Sequence, residues 1–145
     1  ACPEFVAQDT LSFDAGARRY EPGALNLAGI CGMGASLRLL LDCGVEAVGT
    51  RILELRRYFV ERLRARGYQL YLDEWDRRAA ASDAERSGII TVQRPGTDMK
   101  AVFVRLKTSG VTASLRRNRA GATMIRFSPH FYNTEEEFER AVAMM

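Results

Sequence analysis

The chain has 145 residues, 47% of them hydrophobic and 27% charged, with a formal net charge of +3. That balance excludes wholesale disorder and collagen-like or coiled-coil composition, and the length suits one domain able to bury a core without a metal or disulfide staple. So small a net charge gives no ground of its own for nucleic-acid binding.

Residues 1–24 are irregular in pattern, with a turn-prone stretch from Gly16 to Gly23. From Asn26 to Cys43 the chain is small and apolar, and Gly44 reads as a helix stop. Gly29, Gly32 and Gly34 fall in the first half of that helix. An interior glycine costs about 1 kcal/mol relative to Ala, so a crowded core, or close approach of another backbone or a ligand, is expected there. Val45, Val48, Ile52, Leu55, Phe59 and Leu63 recur at three- and four-residue spacing and predict a long amphipathic helix ended by Gly67. Tyr68 to Leu72 read as a strand, Asp73 to Arg86 as an exposed loop, and Gly88 to Gln93 as a second strand closed by Pro95-Gly96.

Thr97 is expected to cap a helix that runs through Ser109, with Met99, Val102, Phe103 and Leu106 inward and Gly110 as the stop. Val111 to Leu115 predict a strand, Arg116 to Gly121 a basic turn, and Thr123 to Ser128 the next strand. Thr134-Glu135-Glu136-Glu137 is a capping box opening a last helix, with Phe138, Ala141, Val142 and Met145 on one side. The expected fold is α+β: a small sheet with helices on one face, preceded by two long helices. No apolar run reaches the roughly 18 residues of a membrane helix, and no signal peptide is visible at the N-terminus. The chain begins Ala1-Cys2 without Met, which reads either as Met removal or as a fragment of a longer protein. Cys2, Cys31 and Cys43 are odd in number and lack CxxC spacing, which predicts reduced thiols and a cytoplasmic protein.

Few residues can carry chemistry. One histidine and three scattered cysteines give no metal spacing. The Gly29, Gly32, Gly34 spacing does not match a dinucleotide fingerprint and follows no predicted strand. No strand carries an aromatic pair for stacking RNA bases. His130, the only imidazole, lies between a strand and a helix; it is either the base for a nucleophile or a loop histidine bonded to a backbone group. In the strand 123–128, alternation places Ile125 and Phe127 on one face and Met124, Arg126 and Ser128 on the other. A guanidinium on a rigid strand suits a bidentate carboxylate contact, although an exposed arginine or a structural ion pair would fit the same pattern.

The stretch Arg126-Phe-Ser-Pro-His130-Phe-Tyr132-Asn133-Thr134-Glu-Glu-Glu resembles the C-terminal signature of class V pyridoxal-phosphate aminotransferases, the cysteine-desulfurase-like group that includes isopenicillin-N-epimerase-like proteins. Arg19-Tyr20-Glu21-Pro22-Gly23-Ala24-Leu25-Asn26 and the glycines after it resemble the lead into that family's small C-terminal domain. The resemblance implies a fold type I enzyme, usually a homodimer acting on an amino acid. It implies residues 1–24 as a link from a large domain and 25–145 as the small domain. Arg126 would bind the substrate carboxylate, His130 and Asn133 are candidates for lining the substrate pocket, and Gly23 and Ala24 would reach the cofactor phosphate of the neighbouring subunit. Ala24 departs from the family's threonine, so that contact would be made by the backbone N–H alone or not at all. The cofactor-carrying lysine belongs to the large domain; Lys100 and Lys107, the only lysines, match no family lysine motif. The chain alone is therefore expected to be inactive. No Cys lies between Gly44 and Met145, so desulfurase chemistry is not expected, and amino transfer, epimerisation or lyase chemistry remains. The alternative is a non-catalytic α+β binding or dimerisation module. Neither reading involves nucleic acid or a membrane.

Overall fold

A computed structural model describes residues 12–21, 23–74 and 87–145. Cys2, Pro22 and most of the expected loop, residues 75–86, lie outside the described residues. Contacts divide the chain into two compact units, Ala1–Leu41 and Asp42–Met145.

The first unit carries a 3₁₀ turn, Gly16–Tyr20, and most of helix α1, Leu27–Cys43. The helix falls where the apolar run predicts it, but no residue of α1 is buried. The crowded core expected around its glycines is absent: a Cβ at Gly32 or Gly34 would meet nothing within 4 Å, and one at Gly29 would meet only the Asn26 side chain. Asn26 is engaged there, its Oδ1 accepting from the Gly29 N–H at 2.9 Å. Ile30, Met33, Leu37 and Leu41 are all exposed, so α1 presents apolar side chains over much of its surface.

The second unit holds helix α2, Val45–Ala65; strands β1, Gln69–Leu70, and β2, Ile90–Gln93; helix α3, Met99–Thr108; strands β3, Ser114–Arg117, and β4, Thr123–Phe127; and helix α4, Glu135–Ala143. The strands form an antiparallel sheet in the order β1-β2-β4-β3, which makes β4 an interior strand. The expected α+β fold, a small sheet with helices on one face, is what forms. Leu55, Phe59 and Leu63 of α2, Val102 and Leu106 of α3, and Phe138 and Val142 of α4 close a core over Ile90, Val92, Ile125 and Phe127 of the sheet. Phe59 is its pivot, stacked on Phe138 at 4.7 Å and meeting Phe127 edge-on at 5.0 Å. Burial of each such side chain is worth about 1.5–3 kcal/mol.

Polar contacts tie α2 to α4. Arg51 donates to both carboxylate oxygens of Glu135 at 2.9 and 3.3 Å, and Tyr58 and Arg62 donate to Glu139 at 2.6 and 3.0 Å. The Arg51 contact holds the Glu135 carboxyl below the usual carboxylate range, and Tyr58 followed by Arg62 does the same for Glu139.

The helix stops are where the glycines predict them, and they explain where the strands begin. Gly67 and Gly110 adopt φ of +80° and +78°, a region open to glycine at little steric cost. After α3, Val111 N–H bonds Leu106 O at 2.9 Å and Gly110 N–H bonds Lys107 O at 3.1 Å, a Schellman ending. Val111 thus completes the helix terminus, and β3 starts at Ser114 rather than at the predicted Val111. Arg116 and Arg117, expected in the turn, are strand residues, and the hairpin turns at Asn118–Gly121. After α2 the same motif engages Tyr68, whose N–H bonds Leu63 O at 3.0 Å, so β1 is shorter than the predicted 68–72 strand. The cap of α3 is Asp98 and not Thr97: its carboxylate accepts from the N–H groups of Lys100 and Ala101. The Thr134–Glu137 capping box of α4 forms as predicted.

Candidate functional site

The sheet places Arg126 at an interior position of its unit. Its neighbours Ile125 and Phe127 are buried in the core, so alternation turns Arg126 to the opposite face. Directly opposite it stand Thr91 on β2 and Ser114 on β3. Both are short, which leaves the guanidinium without a bulky flank. Arg126 is half-buried, its Nε is shielded from solvent, and that atom has no hydrogen-bond partner. Among the described residues no carboxylate pairs with Arg126. Among the described residues it is neither fully exposed nor in an ion pair. The face is not uniformly open, because Met124, expected beside Arg126, is buried outside the main core cluster while Ser128 is exposed.

His130 and Asn133 lie elsewhere in the same unit. They line a cleft of about 400 Å³ between the β4–α4 connection, α4 and the residues after α3, with Phe127 and Phe138 in its wall. Arg126 is not among the residues that line this cleft, although its neighbours Phe127 and Ser128 are. The Asn133 amide is engaged at both ends: Oδ1 accepts from the His130 backbone N–H at 2.7 Å, and Nδ2 donates to Glu137 at 2.9 Å. That bond, followed by the Thr134 N–H, holds the Glu137 carboxyl below its usual range. Asn133 therefore shapes the loop that carries His130. The imidazole stacks on Tyr132 with ring centres 4.7 Å apart, and its Nδ1 is buried with no hydrogen-bond partner. A loop histidine bonded to a backbone group through its ring, the plainer expectation, is not what forms.

Gly23 and Ala24 belong to the first unit and are exposed; a Cβ at Gly23 would meet nothing within 4 Å. Lys100 and Lys107 are exposed on α3. Among the described residues, no group of three or more His, Cys, Asp or Glu could hold a metal, and no single helix is long and apolar enough to cross a membrane.

The family model "Aminotransferase class-V" matches residues 2–141. The chain belongs to the class V aminotransferase family. Within it, a "Probable cysteine desulfurase" from Xylella fastidiosa (strain 9a5c) is 26% identical over 159 residues, covering 97% of this chain and 34% of that protein. An "Uncharacterized aminotransferase YcbU" from Bacillus subtilis (strain 168) is 28% identical over 126 residues, covering 87% and 30%. The chain thus spans about a third of the length of these curated relatives.

Two solved structures share the fold. The apo cysteine desulfurase from Thermococcus onnurineus NA1 superposes with a TM-score of 0.75 at 20% identity, over 97% of this chain and 35% of that one. Cysteine desulfurase CsdA from Escherichia coli, in an S-sulfonic acid form, gives 0.67 at 20% identity, over 86% and 31%. Both are about three times the length matched here, and both share the fold of this chain.

The residues in hand do not by themselves make a site for pyridoxal phosphate, the cofactor this family implies. Both lysines are on the outer surface of a helix, and the carboxylate nearest Lys100 along the chain, Asp98, is occupied as the α3 cap. The sequence motif singles out Arg126 and His130. It does not single out Thr91 and Ser114, because no local pattern reveals which residues of distant strands stand opposite one another.

Proposed function

We propose that this chain is the small domain of a larger, cytoplasmic, homodimeric class V enzyme acting on an amino acid, and that Arg126 receives the substrate's carboxylate. The observation that carries this reading is a half-buried guanidinium on an interior strand with no acid to neutralise it among the described residues. A buried, unpaired polar group is unfavourable unless a partner arrives, and a planar fork on a rigid strand is preorganised for a carboxylate. Pyridoxal phosphate, held by residues of the rest of the protein, would supply the electron sink. The part of this chain is to bind and orient: Arg126 fixes the acid group, and backbone N–H groups at Gly23 and Ala24 serve the phosphate of a neighbouring subunit.

Amino transfer, epimerisation or lyase chemistry fits better than sulfur transfer. The relatives named as desulfurases suggest the latter, but the only thiols here are Cys2, Cys31 and Cys43, all ahead of Gly44. The loop leading to Arg126 therefore offers no thiolate. On its own the chain is expected to hold no cofactor covalently: incubated with pyridoxal phosphate and dialysed, it keeps no absorbance band that mutation of Lys100 or Lys107 removes.

The decisive assay uses the complete protein. Arg126→Ala is expected to lower kcat/KM roughly a hundredfold, the scale of losing a charged hydrogen-bonded partner at about 1.5–3 kcal/mol. Unchanged kinetics would reject the assignment.

A further inference from the structure

The register places a second guanidinium on the face of the sheet that carries Arg126. Ser114 stands opposite Arg126, and two residues along each strand Arg116 stands opposite Met124. These four residues form a square in which Arg126 and Arg116 occupy opposite corners. Residues directly opposite in an antiparallel pair share a face, and diagonal neighbours lie about 7–8 Å apart, within reach of long side chains. Of the two other corners, Ser114 is short and Met124 is buried.

Among the described residues no acid pairs with either arginine. None of the four strands contains Asp or Glu. Arg116 is exposed and, among the described residues, makes no ion pair or hydrogen bond through its side chain. Like charges so close on one sheet face are unfavourable. Glu135 and Glu139 of α4 are paired with Arg51 and Arg62 of α2, and Asp98 caps α3. An exposed arginine near a hairpin is ordinarily a solvated charge. Here it shares a face whose strands carry no Asp or Glu with a half-buried guanidinium that has no ion-pair partner among the described residues, at a spacing that one small molecule can bridge.

We infer that Arg116 and Arg126 together form a two-point anion site, and that the substrate is an amino acid with an acidic side chain. Arg126 takes the α-carboxylate and Arg116 the distal acid group. This deepens the proposed function and rests on its reading of Arg126. Arg116 is a specificity residue: the short alternative, a substrate with a neutral side chain, meets Arg126 alone and leaves Arg116 in water.

Side-chain NMR of the full 145-residue chain labelled with ¹⁵N-arginine tests this at low ionic strength, with glutarate as the two-acid probe and butyrate as the one-acid probe. Glutarate is expected to shift the Nε–H resonances of both Arg126 and Arg116 with one shared dissociation constant. Butyrate should shift Arg126 only and bind about tenfold more weakly, as one charge-assisted contact is lost. Arg116→Gln should reduce glutarate to the affinity of butyrate while leaving butyrate itself unchanged, and Arg116→Lys should restore part of the difference, which a merely structural role would not produce.

Equal affinity for the two acids, or shifts at Arg117 and Arg119 as large as at Arg116, would overturn the two-point site while leaving Arg126 as a carboxylate receiver. If neither acid moves Arg126, the reading of Arg126 fails, and the two-point site fails with it.

Discussion

The two faces of strand β4 are built from alternate residues of one short segment, yet they have opposite characters. Ile125 and Phe127 face the helices, fully desolvated and packed against Phe59. Arg126, between them, faces the other way with a shielded Nε that has no hydrogen-bond partner among the described residues. The first face is packed within the unit; on the second, the proposed function gives Arg126 a ligand to bind. On that proposal stability and function are separated by a single step along the backbone, and substitutions on either side should show the separation directly.

The largest effect is expected on the helix face. Phe59→Ala removes the ring that joins Phe127 to Phe138 and should destabilise the unit by about 3–5 kcal/mol, read as a lower urea midpoint. A loss below about 1 kcal/mol would show that this face is less tightly packed than it looks. Next come the caps of the helices that cover it. Thr134→Ala and Asp98→Ala should each cost about 1 kcal/mol, because each removes the acceptor for N–H groups at a helix start. Thr97→Ala, one residue from the true cap of α3, should cost little and so checks which residue caps.

Acid should weaken the same face. Glu135, Glu137 and Glu139 have folded values held below the unfolded carboxyl's value of about 4.3. Their contribution is fully present above that unfolded value and disappears as pH falls through the lowered folded values. Stability of Glu135→Gln/Glu139→Gln should therefore fall less steeply on acidification than that of the parent chain, in thermal melts across the acid range. The smallest effect belongs to the opposite face. Arg126→Gln should change stability by less than about 0.5 kcal/mol or raise it, since an unpartnered, half-buried charge contributes nothing to hold. A loss comparable to the caps would make Arg126 a structural residue and erase the contrast.

Much of the helix face was legible in the sequence. The apolar spacing from Val45 to Leu63, the capping box at Thr134 and the stops at Gly67 and Gly110 are local signals, written within a few residues of what they control. The other face depends on longer-range facts. That Thr91 and Ser114 flank Arg126, and that Arg116 stands at its diagonal, follows from strand register, which no local pattern encodes. The delayed start of β3 has a related origin: Val111 looks like a strand residue by propensity, but its N–H is bound to the end of α3. His130 and Asn133 were found by motif, yet only the fold shows that they line a cleft apart from Arg126. The glycines of α1 mislead in the same way, since their crowding would have to come from something other than the described residues.

A crystal structure of the complete protein with a bound amino acid tests the central claim most directly. The account predicts paired N–H···O contacts of roughly 2.7–2.9 Å from the Arg126 guanidinium to the ligand's α-carboxylate. An Asp or Glu of the rest of the protein seated on Arg126, with the ligand's acid group held elsewhere, would contradict it.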